Sequence, residues 1–510
     1  MPIHLLGFIR LDLMLNFNLK IMSINITKIF IIGLFFGLIM SCTNLLEEET
    51  FSTLGPTNFY KTVEDAEILL NSVYVANKGH RDLIRDYLAL EEFNTDIAFQ
   101  AEGAINADIN PIQKFEWSSS HPYLDFYWSQ YYSTIFRANT VIDQVSDMEI
   151  NSEKRNLIVA EAKFLRAYNY YNLYNFFGTV PLILSSESSI QDRPHRASEE
   201  EFRLFLISEL ETIADILPEI PSQTGRASKG AALGLLCRFY MNTKSWQKAI
   251  DISEKLIKSS TYSIYSPRGL DERYRNDLFS TDNQFNSEFI FVIPYADAGA
   301  IKPADGLTYL SHAAPPGWVW KYSQMVNFAA QFKIRSDYLD LFDDPNDERL
   351  NAFVFEYIDQ NGDYIQLGHD DVRSFKYPED PNGRTDVTSS DLPILRISDI
   401  YLYRAEALNE LFGPNEESIN LINEIRNAAN TYPVTIGDFA DMIDLKNFIL
   451  DERGREFHTE FLRRQDLIRH GKFIKYANDR GIKAEDYQIL YPIPQAEIDR
   501  NPNLIQNPGY

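Results

Sequence analysis

Three short patterns in the sequence combine residue types that could catalyse a reaction or bind an ion. The adjacent carboxylates Glu91 and Glu92 could serve as the acid and base of a glycosidase, but neighbouring residues of a helix point apart, and a chain this acidic contains such pairs by chance. Residues 225–230 carry two glycines at phosphate-loop spacing, but Ala231 and Ala232 stand where lysine and serine or threonine are required. We interpret this segment as the loop that starts a helix.

The third pattern is Asp359, Asn361 and Asp363, which mimics the start of a calcium-binding loop. Tyr364 stands where the loop needs a glycine for its sharp turn, so a β-hairpin is the better interpretation, with Asn361 and Gly362 as a two-residue turn. The eight histidines are scattered, and none shares a helix face with a second ligand four residues away. We therefore predict no catalytic residues, no metal site and no cofactor, and we expect that the protein is not an enzyme.

Charge and composition exclude several classes of protein. The chain has 510 residues, 45% of them hydrophobic, and a formal net charge of −25. Affinity for phosphates needs a basic surface that releases counterions, so we exclude a nucleic-acid partner, and an anionic lipid surface is also disfavoured. Two cysteines cannot make a disulfide framework, and no cluster of cysteine and histidine suggests zinc. The fold must be stabilised by packing.

The N-terminus carries an export signal. The apolar run at residues 29–40 follows Lys28 and is too short to span a bilayer, but it has the length of a signal-peptide core. Residues 39–42, Ile-Met-Ser-Cys, resemble a bacterial lipobox, so we predict cleavage before Cys42 and attachment of lipid to its thiol. Residues 1–41 are then the signal peptide, with Met22 as an alternative start. Residues 42–55 are a lipidated linker that alone holds the protein on the membrane. An ordinary secretory signal with an incidental cysteine, or a buried N-terminal anchor helix, is the alternative.

Helical periodicity dominates the rest of the chain. Apolar and aromatic residues recur at spacings of three and four within residues 153–176, and Gly178 is suited to end that helix. The same spacing places Cys237 on a core face. The predicted helices cover 64–78, 125–146, 153–176, 198–216, 233–240, 246–257, 398–411, 416–429 and 441–457.

These elements predict a mostly α fold. Helical pairs joined by short turns favour tetratricopeptide-type hairpins, although no regular 34-residue period is present. We predict one domain over residues 56–510, with a helical scaffold at about 56–260 and 395–510. Between about 262 and 397 lies a loop-rich insertion with a few short β-strands, at 289–293 and 353–358 and in the hairpin. Loops on a rigid scaffold commonly carry binding sites.

Several separated segments, taken in their order along the chain, resemble the SusD/RagB family of outer-membrane nutrient-binding lipoproteins. The segments are EAKFLRA (161–167) with FGTVPL (177–182), RASKGAA (226–232), LRISDIYLYRAEA (395–407), INEIR (422–426), ERGREF (452–457) with RQDLIRHG (464–471), YPIP (491–494), NPNL (501–504) and QNPGY (506–510). One departure is the sequence Glu-Phe-Leu at 460–462, where family members often have Glu-Gly. We expect Arg404 with Glu406, and Arg464 with Asp466, to form partly buried ion pairs between helices.

The resemblance implies a function as well as a fold. It implies a helical lid that sits on a SusC-like TonB-dependent transporter at the extracellular face of the outer membrane and captures oligosaccharide outside the cell. Two alternatives stay open: a lipid-anchored glycoside hydrolase acting on the same polymers, and a lipoprotein that binds peptides or acts as a protein adaptor.

A glycan site needs exposed aromatic planes beside polar groups, since sugars present flat C–H patches ringed by hydroxyls. One candidate group surrounds the sequence Pro-Pro-Gly at 315–317. A second surrounds residue 96, where the resemblance implies a loop that helps to line the glycan site. The hypothetical ligand-binding residues are Tyr309, Trp318, Trp320 and Tyr322 in the first group, and Asp96, Phe99 and Asn106, near Phe93 and Asn94, in the second. The alternatives are an aromatic plug for the tryptophans and a helix core for Phe93 and Phe99.

Overall fold

The helices of the protein begin and end at residues suited to those positions. We describe a computed structural model over residues 61–82, 84–101, 106–188, 193–266, 275–295, 306–328 and 330–510. Contacts divide the chain into residues 1–59 and 60–510. The predicted signal peptide, the lipidation site at Cys42 and the linker lie outside the described residues.

The longest described helix shows how local sequence sets an element. The Asn151 side chain accepts a hydrogen bond from the Lys154 N–H at its start, and Gly178 ends it with φ 73°. The α-helices are α1 (Val63–Asp82), α2 (Ile84–Leu88), α3 (Asn106–Gln113), α4 (Pro122–Ser146), α5 (Ser152–Phe177), α6 (Glu199–Ala214), α7 (Lys229–Asn242), α8 (Trp246–Lys258), α9 (Tyr309–Ala313), α10 (Ser336–Leu339), α11 (Ile397–Phe412), α12 (Glu416–Ala428), α13 (Met442–Phe457), α14 (Arg463–Arg469), α15 (Phe473–Asp479) and α16 (Gln495–Arg500). A π-helical turn, Ala89–Phe93, continues α2.

Helices that are adjacent along the chain pack in pairs around one hydrophobic core. Helix α4 packs on α5, α7 on α8, and α11 on α12, while α8 also packs on α11 and so joins the two parts of the scaffold. Cys237 on α7 is fully buried, as predicted. The loop at 225–230 does start a helix, because the Ser228 side chain caps α7. The predicted mostly α fold with a strand-bearing insertion is confirmed. No helix in the described residues is long and apolar enough to cross a membrane.

The insertion contains most of the short strands. Strand β2 (Phe289–Ile293) pairs antiparallel with β10 (Leu392–Arg396), β1 (Ala98–Gln100) pairs antiparallel with β4 (Phe332–Ile334), and β6 (Glu356–Ile358) and β7 (Tyr364–Gln366) form the predicted hairpin. The strands are β1 (Ala98–Gln100), β2 (Phe289–Ile293), β3 (Gln324–Met325), β4 (Phe332–Ile334), β5 (Phe353–Val354), β6 (Glu356–Ile358), β7 (Tyr364–Gln366), β8 (Arg373–Ser374), β9 (Arg384–Thr385) and β10 (Leu392–Arg396).

The turn of the hairpin differs from the prediction. Ile358 pairs with Tyr364, and the Asp359 N–H donates to the Asp363 carbonyl, so the loop is longer than two residues. The Asp359 carboxylate accepts hydrogen bonds from the backbone N–H groups of Asn361 and Asp363, and Gly362 has φ 87°. The predicted two-residue turn was wrong because the Asp359 side chain stabilises a three-residue loop with a left-handed glycine.

A network of buried ion pairs joins the scaffold to the insertion. Glu452 on α13 accepts hydrogen bonds from three arginines, Arg349, Arg426 and Arg455, each at 2.8 Å. Burial alone would raise the pKa of Glu452, but the three guanidinium groups lower that pKa well below its usual range. Other buried pairs include Arg396 with Glu288, Glu456 and Glu460, Lys376 with Glu460, Arg453 with Asp399 and Asp466, and Arg469 with Glu406 and Asp466.

The predicted pairs Arg404–Glu406 and Arg464–Asp466 were wrong in their partners. Arg404 binds Glu417, and Glu406 binds Arg469. Arg464 donates instead to the backbone carbonyls of Asn175 and Ile489. Residues two apart on a helix point to different sides, so each of these side chains finds a partner on another element.

The ion network supports a stability prediction. Glu452→Gln should lower the free energy of unfolding by roughly 3–5 kcal/mol, because it leaves three buried guanidinium groups without their shared carboxylate. Urea denaturation of the purified chain measures this. In the control Asp479→Asn, which breaks the exposed pair with Lys475, the change should stay within about 0.5 kcal/mol. Equal effects of the two substitutions would contradict this account of the network.

A buried carboxyl in the π-helical turn predicts a pH dependence. Glu92 is fully buried, and although it accepts a hydrogen bond from the Thr459 N–H, burial raises its pKa to about 8. The folded state therefore favours protonated Glu92, and the associated stability is complete below the usual glutamate pKa and is lost as the pH rises to about 8. Glu92→Gln should remove a slope of roughly 1.4 kcal/mol per pH unit in that window. Parallel curves of unfolding free energy against pH for the two chains would disprove this.

Candidate functional site

Two tryptophans of the insertion lie together on a shared aromatic base. The ring centroids of Trp318 and Trp320 are 6.4 Å apart, and both contact Phe375, at 4.8 and 6.3 Å. Tyr357 of β6 packs on Trp318 at 5.7 Å. We call Trp318, Trp320, Tyr357 and Phe375 the aromatic platform. Both tryptophans are half-buried residues.

The hairpin β6–β7 fixes the first half of the loop that carries the tryptophans. Gly317 has φ 74°, a conformation that favours glycine, and its carbonyl accepts a hydrogen bond from the Gln360 N–H at 2.9 Å. The Tyr357 hydroxyl donates to the Pro316 carbonyl at 2.6 Å. The Asn327 side-chain amide donates to the carbonyls of Pro315 and Trp318. The loop is therefore held from two sides although it has no regular structure.

One carboxylate fixes the second half of the loop. Glu379 accepts hydrogen bonds from the backbone N–H groups of Lys321, Tyr322 and Ser323, at 3.0, 2.7 and 2.8 Å, and from the Ser323 hydroxyl. Hydrogen bonds to a carboxylate are stronger than neutral ones, so this residue acts as a clamp. The Tyr322 side chain is 61% exposed, and the Lys321 ammonium lies 4.7 Å from its ring centroid. The clamp thus presents an aromatic ring to solvent beside the platform.

The indole N–H groups of the platform lack acceptors. Nε1 of Trp318 and Nε1 of Trp320 are both shielded from solvent and make no hydrogen bond to any of the described residues. A buried donor without an acceptor costs roughly 1–3 kcal/mol. A small rearrangement that gave either N–H an oxygen from water or from a ligand would recover part of that cost.

The remaining predicted residue of the first group lies in the core. Tyr309 on α9 is only 3% exposed and packs between Phe332 and Tyr377. Burial raises the pKa of its hydroxyl. The structure therefore brings Trp318, Trp320 and Tyr322 together on one loop and places Tyr309 beneath the surface.

The second predicted group is built into the junction between the scaffold and the insertion. Asp96 forms an ion pair with Arg463 at 2.6 Å, and although burial opposes ionisation, Arg463 lowers its pKa. Phe99 lies in β1, opposite Lys333 of β4, with the Arg335 guanidinium 5.2 Å from its ring centroid. Asn106 begins α3. Phe93 is buried in the π-helical turn. These contacts hold Asp96 and Phe99 in place. Ligand binding by this group stays a prediction.

Sequence reasoning missed three residues that shape the site, namely Tyr357, Phe375 and Glu379. Tyr357 lies in a strand that the sequence predicts. Alternation along this strand puts Tyr357 on its partly buried face, and this position could have identified it as a residue that packs against the loop. Glu379 acts on residues 56 to 58 positions earlier in the chain, and no local pattern signals a contact over that distance.

A separate cleft of about 480 Å³ lies on the scaffold. Its walls are mostly apolar, with Trp128, Tyr132 and Phe136 from one face of α4 and Pro181 and Arg500 opposite them. Phe136 is 53% exposed there. The Tyr132 hydroxyl donates to the Pro181 carbonyl and is thus occupied.

Two family models match separate parts of the chain. Residues 372–510 match the family model described as the SusD family, and residues 46–241 match one described as starch-binding associating with outer membrane. SusD-like protein P38 of Formosa agariphila is 27% identical over 96% of this chain and 100% of its own length. The starch-binding protein SusD of Bacteroides thetaiotaomicron is 27% identical over 79% of this chain and 82% of its own.

The fold has the same relatives. A solved structure described as a laminarin-binding SusD-like protein superposes with a TM-score of 0.73 at 22% identity, over 88% of this chain and 100% of that chain. At this identity the similarity shows the fold alone. The solved structure of this SusD-like protein is therefore an independent example of the tetratricopeptide-type arrangement that the sequence predicts for the scaffold.

The Glu379 clamp predicts a local change on mutation. Glu379→Gln should loosen residues 321–323, because a neutral amide with one carbonyl oxygen cannot replace a carboxylate that accepts three N–H groups. Limited trypsin digestion followed by mass spectrometry should show faster cleavage after the exposed Lys321. Glu356→Gln, on the neighbouring hairpin, should leave that rate unchanged. An unchanged rate in Glu379→Gln would show that the clamp does not order the loop.

Proposed function

The chain belongs to the SusD/RagB family, and on this premise we propose that it is a glycan-binding lipoprotein of the outer membrane. In this proposal it captures oligosaccharide or polysaccharide at the extracellular face. It then delivers the glycan to a SusC-like TonB-dependent transporter, without chemistry.

The observation that carries the proposal is the aromatic platform with its neighbour Tyr322. Sugar rings bind proteins by stacking their C–H faces on aromatic rings while polar groups at the edge bind their hydroxyls. Trp318 and Trp320 are two partly exposed aromatic residues, and Tyr322 is a third that is mostly exposed. Two relatives described as binding starch and laminarin support a glycan as the ligand class.

Attachment to the membrane completes the proposed arrangement. We propose lipidation of Cys42, which would hold the protein on the outer membrane through acyl chains, because each buried CH₂ contributes about 0.8 kcal/mol. The linker at residues 42–55 would let the described body of the protein approach a transporter in the same membrane. A lid held in this way raises the local concentration of glycan above the transporter.

The carboxylates nearest the platform argue for binding over hydrolysis. A glycosidase needs one carboxyl group that donates a proton and a second that acts as a base or nucleophile. Glu379 instead accepts hydrogen bonds from backbone N–H groups of the loop that carries the tryptophans, and Asp359 accepts them from its own hairpin turn. Both are thus occupied with holding the loops that flank the tryptophans.

The proposal is tested by titration calorimetry of the purified chain against starch, laminarin and dextran, with the products checked by chromatography. We expect binding without cleavage, and we expect Trp318→Ala and Trp320→Ala each to weaken it roughly five- to thirtyfold, since stacking on one aromatic ring contributes on the order of 1–2 kcal/mol. Trp246→Ala is the matched control, because Trp246 is also half-buried but begins α8 of the scaffold.

Other outcomes would redirect the assignment. Cleavage of a bound glycan would favour a hydrolase, and binding of peptides with no response to any glycan would favour peptide capture or an adaptor role. If all three tryptophan variants bind as the unmodified chain does, the platform is not the ligand site. A large drop in melting temperature in the platform variants would instead identify Trp318 and Trp320 as core residues.

A further inference from the structure

A cavity of about 240 Å³ lies between the loop that precedes α7 and strand β2. It shares no residue with the aromatic platform. Its lining combines aromatic and aliphatic side chains with hydroxyl, amide and charged ones. The lining includes Ile220, Thr224, Arg226, Tyr262, Phe285 and Asn286. We call this cavity the Phe285 pocket.

The segment at residues 225–230, which has the glycine spacing of a phosphate loop, builds one wall of the pocket. Gly225 has φ 81°, and a Cβ atom there would lie 2.6 Å from the Pro294 ring. A Cβ atom at Gly230 would lie 2.3 Å from the Tyr262 hydroxyl oxygen. Both glycines are therefore needed for close contacts, and Gly230 lets the Tyr262 ring lie directly on the start of α7.

The charged groups of this wall already have partners. The Arg226 guanidinium binds the carboxylates of Glu67 and Glu161, at 3.0 and 3.2 Å. Glu219 binds Lys229 at 3.1 Å. A phosphate or carboxylate ligand would have to displace an existing ion pair, so the pocket favours an uncharged ligand.

Phe285 is held in a backbone conformation that phenylalanine rarely adopts. Its φ is 63°, in the left-handed region, and the residue is 45% exposed. The residues on either side hold the turn: the Gln284 side-chain amide donates to the Ser389 carbonyl at 2.6 Å, and the Asn286 side-chain amide donates to the Asn283 carbonyl at 2.9 Å. Strained residues of this kind cluster at functional sites, where the surrounding structure enforces them. Because Phe285 is not buried, core packing does not explain why a phenylalanine occupies this position.

We propose that the Phe285 pocket is a second sugar-binding site, which takes a short stretch of glycan independently of the aromatic platform. This inference rests on the proposed function, because it assigns the same ligand class to a second surface. The C–H face of a sugar ring would stack on Phe285, and sugar hydroxyls would bind the hydroxyl of the exposed Thr224 and the neighbouring polar groups. An uncharged sugar leaves the ion pairs of Arg226 and Glu219 intact.

The platform variant, Trp318→Ala/Trp320→Ala, isolates the second site. Maltohexaose, laminarihexaose and isomaltohexaose would each be mixed with the purified unmodified chain and with the platform variant, and binding would be followed by saturation-transfer difference NMR, which detects weak ligands. We expect at least one hexasaccharide to bind the unmodified chain and to keep a saturation-transfer signal with the platform variant.

Two further substitutions in the platform variant locate the remaining signal. Phe285→Gly should lower it at least about fivefold through loss of the ring. The melting temperature should stay the same or rise, because glycine adopts a positive φ without strain. Thr224→Val keeps the shape of the side chain and should lower the signal roughly twofold to tenfold through loss of a hydrogen bond. The control Phe412→Ala removes a ring that is also exposed, at the end of α11, and should leave the signal unchanged.

Several results would overturn the inference. If a hexasaccharide binds the unmodified chain but gives no signal with the platform variant, the platform is the whole site and the proposed function still stands. If the signal survives Phe285→Gly, the residual binding lies elsewhere. If Phe285→Gly lowers the melting temperature sharply, Thr224→Val decides, and an unchanged signal in that variant rules the pocket out. If no hexasaccharide binds the unmodified chain, the proposed function fails and the inference fails with it.

Discussion

The structure depends on buried carboxylates in helix α13 and in the segment that follows it. These carboxylates bind buried arginines and one buried lysine from distant parts of the chain. Glu452 binds Arg349 of the insertion and Arg426 of the scaffold, while Glu456 and Glu460 bind Arg396 at the junction of β10 and α11. Each charge would be costly alone in the core, but the pairs satisfy one another. This constraint fixes how the insertion sits on the helices more than it adds stability.

The candidate site is connected to that network through the backbone. Phe375, the base of the platform, precedes Lys376, whose ammonium is 2% exposed and binds Glu460 together with the carbonyls of Glu456 and His458. The Phe375 N–H donates to the Ala352 carbonyl, three residues after Arg349. The aromatic base on which the two tryptophans pack is therefore carried on a segment anchored beside the ionic core. This support lets an irregular loop keep a fixed geometry. Because the loop is already ordered, binding costs little conformational entropy.

Sequence patterns predicted the structural features that depend on residues close together along the chain. The periodicity of residues 153–176 located α5 to within one residue at each end, and Gly178 ended it as expected, because helix faces and caps are local properties. A strand-like run predicted β2, and the sequence Asn361-Gly362 predicted the hairpin. The partners of Arg404 and Arg464, the burial of Tyr309 and the clamp at Glu379 were not predictable. Each of these depends on segments that meet only after folding, and residue type alone does not choose between partners of equal chemistry.

The central claim is that the loop bearing Trp318, Trp320 and Tyr322 is the surface that meets the ligand. Hydrogen–deuterium exchange of the chain with and without the tightest-binding of starch, laminarin and dextran tests it most directly. The account predicts slower exchange in residues 315–328 and in the hairpin at 356–366, with no change along the α4 cleft at 128–136. Protection at 128–136 with none at 315–328 would contradict it and would place the ligand on the scaffold.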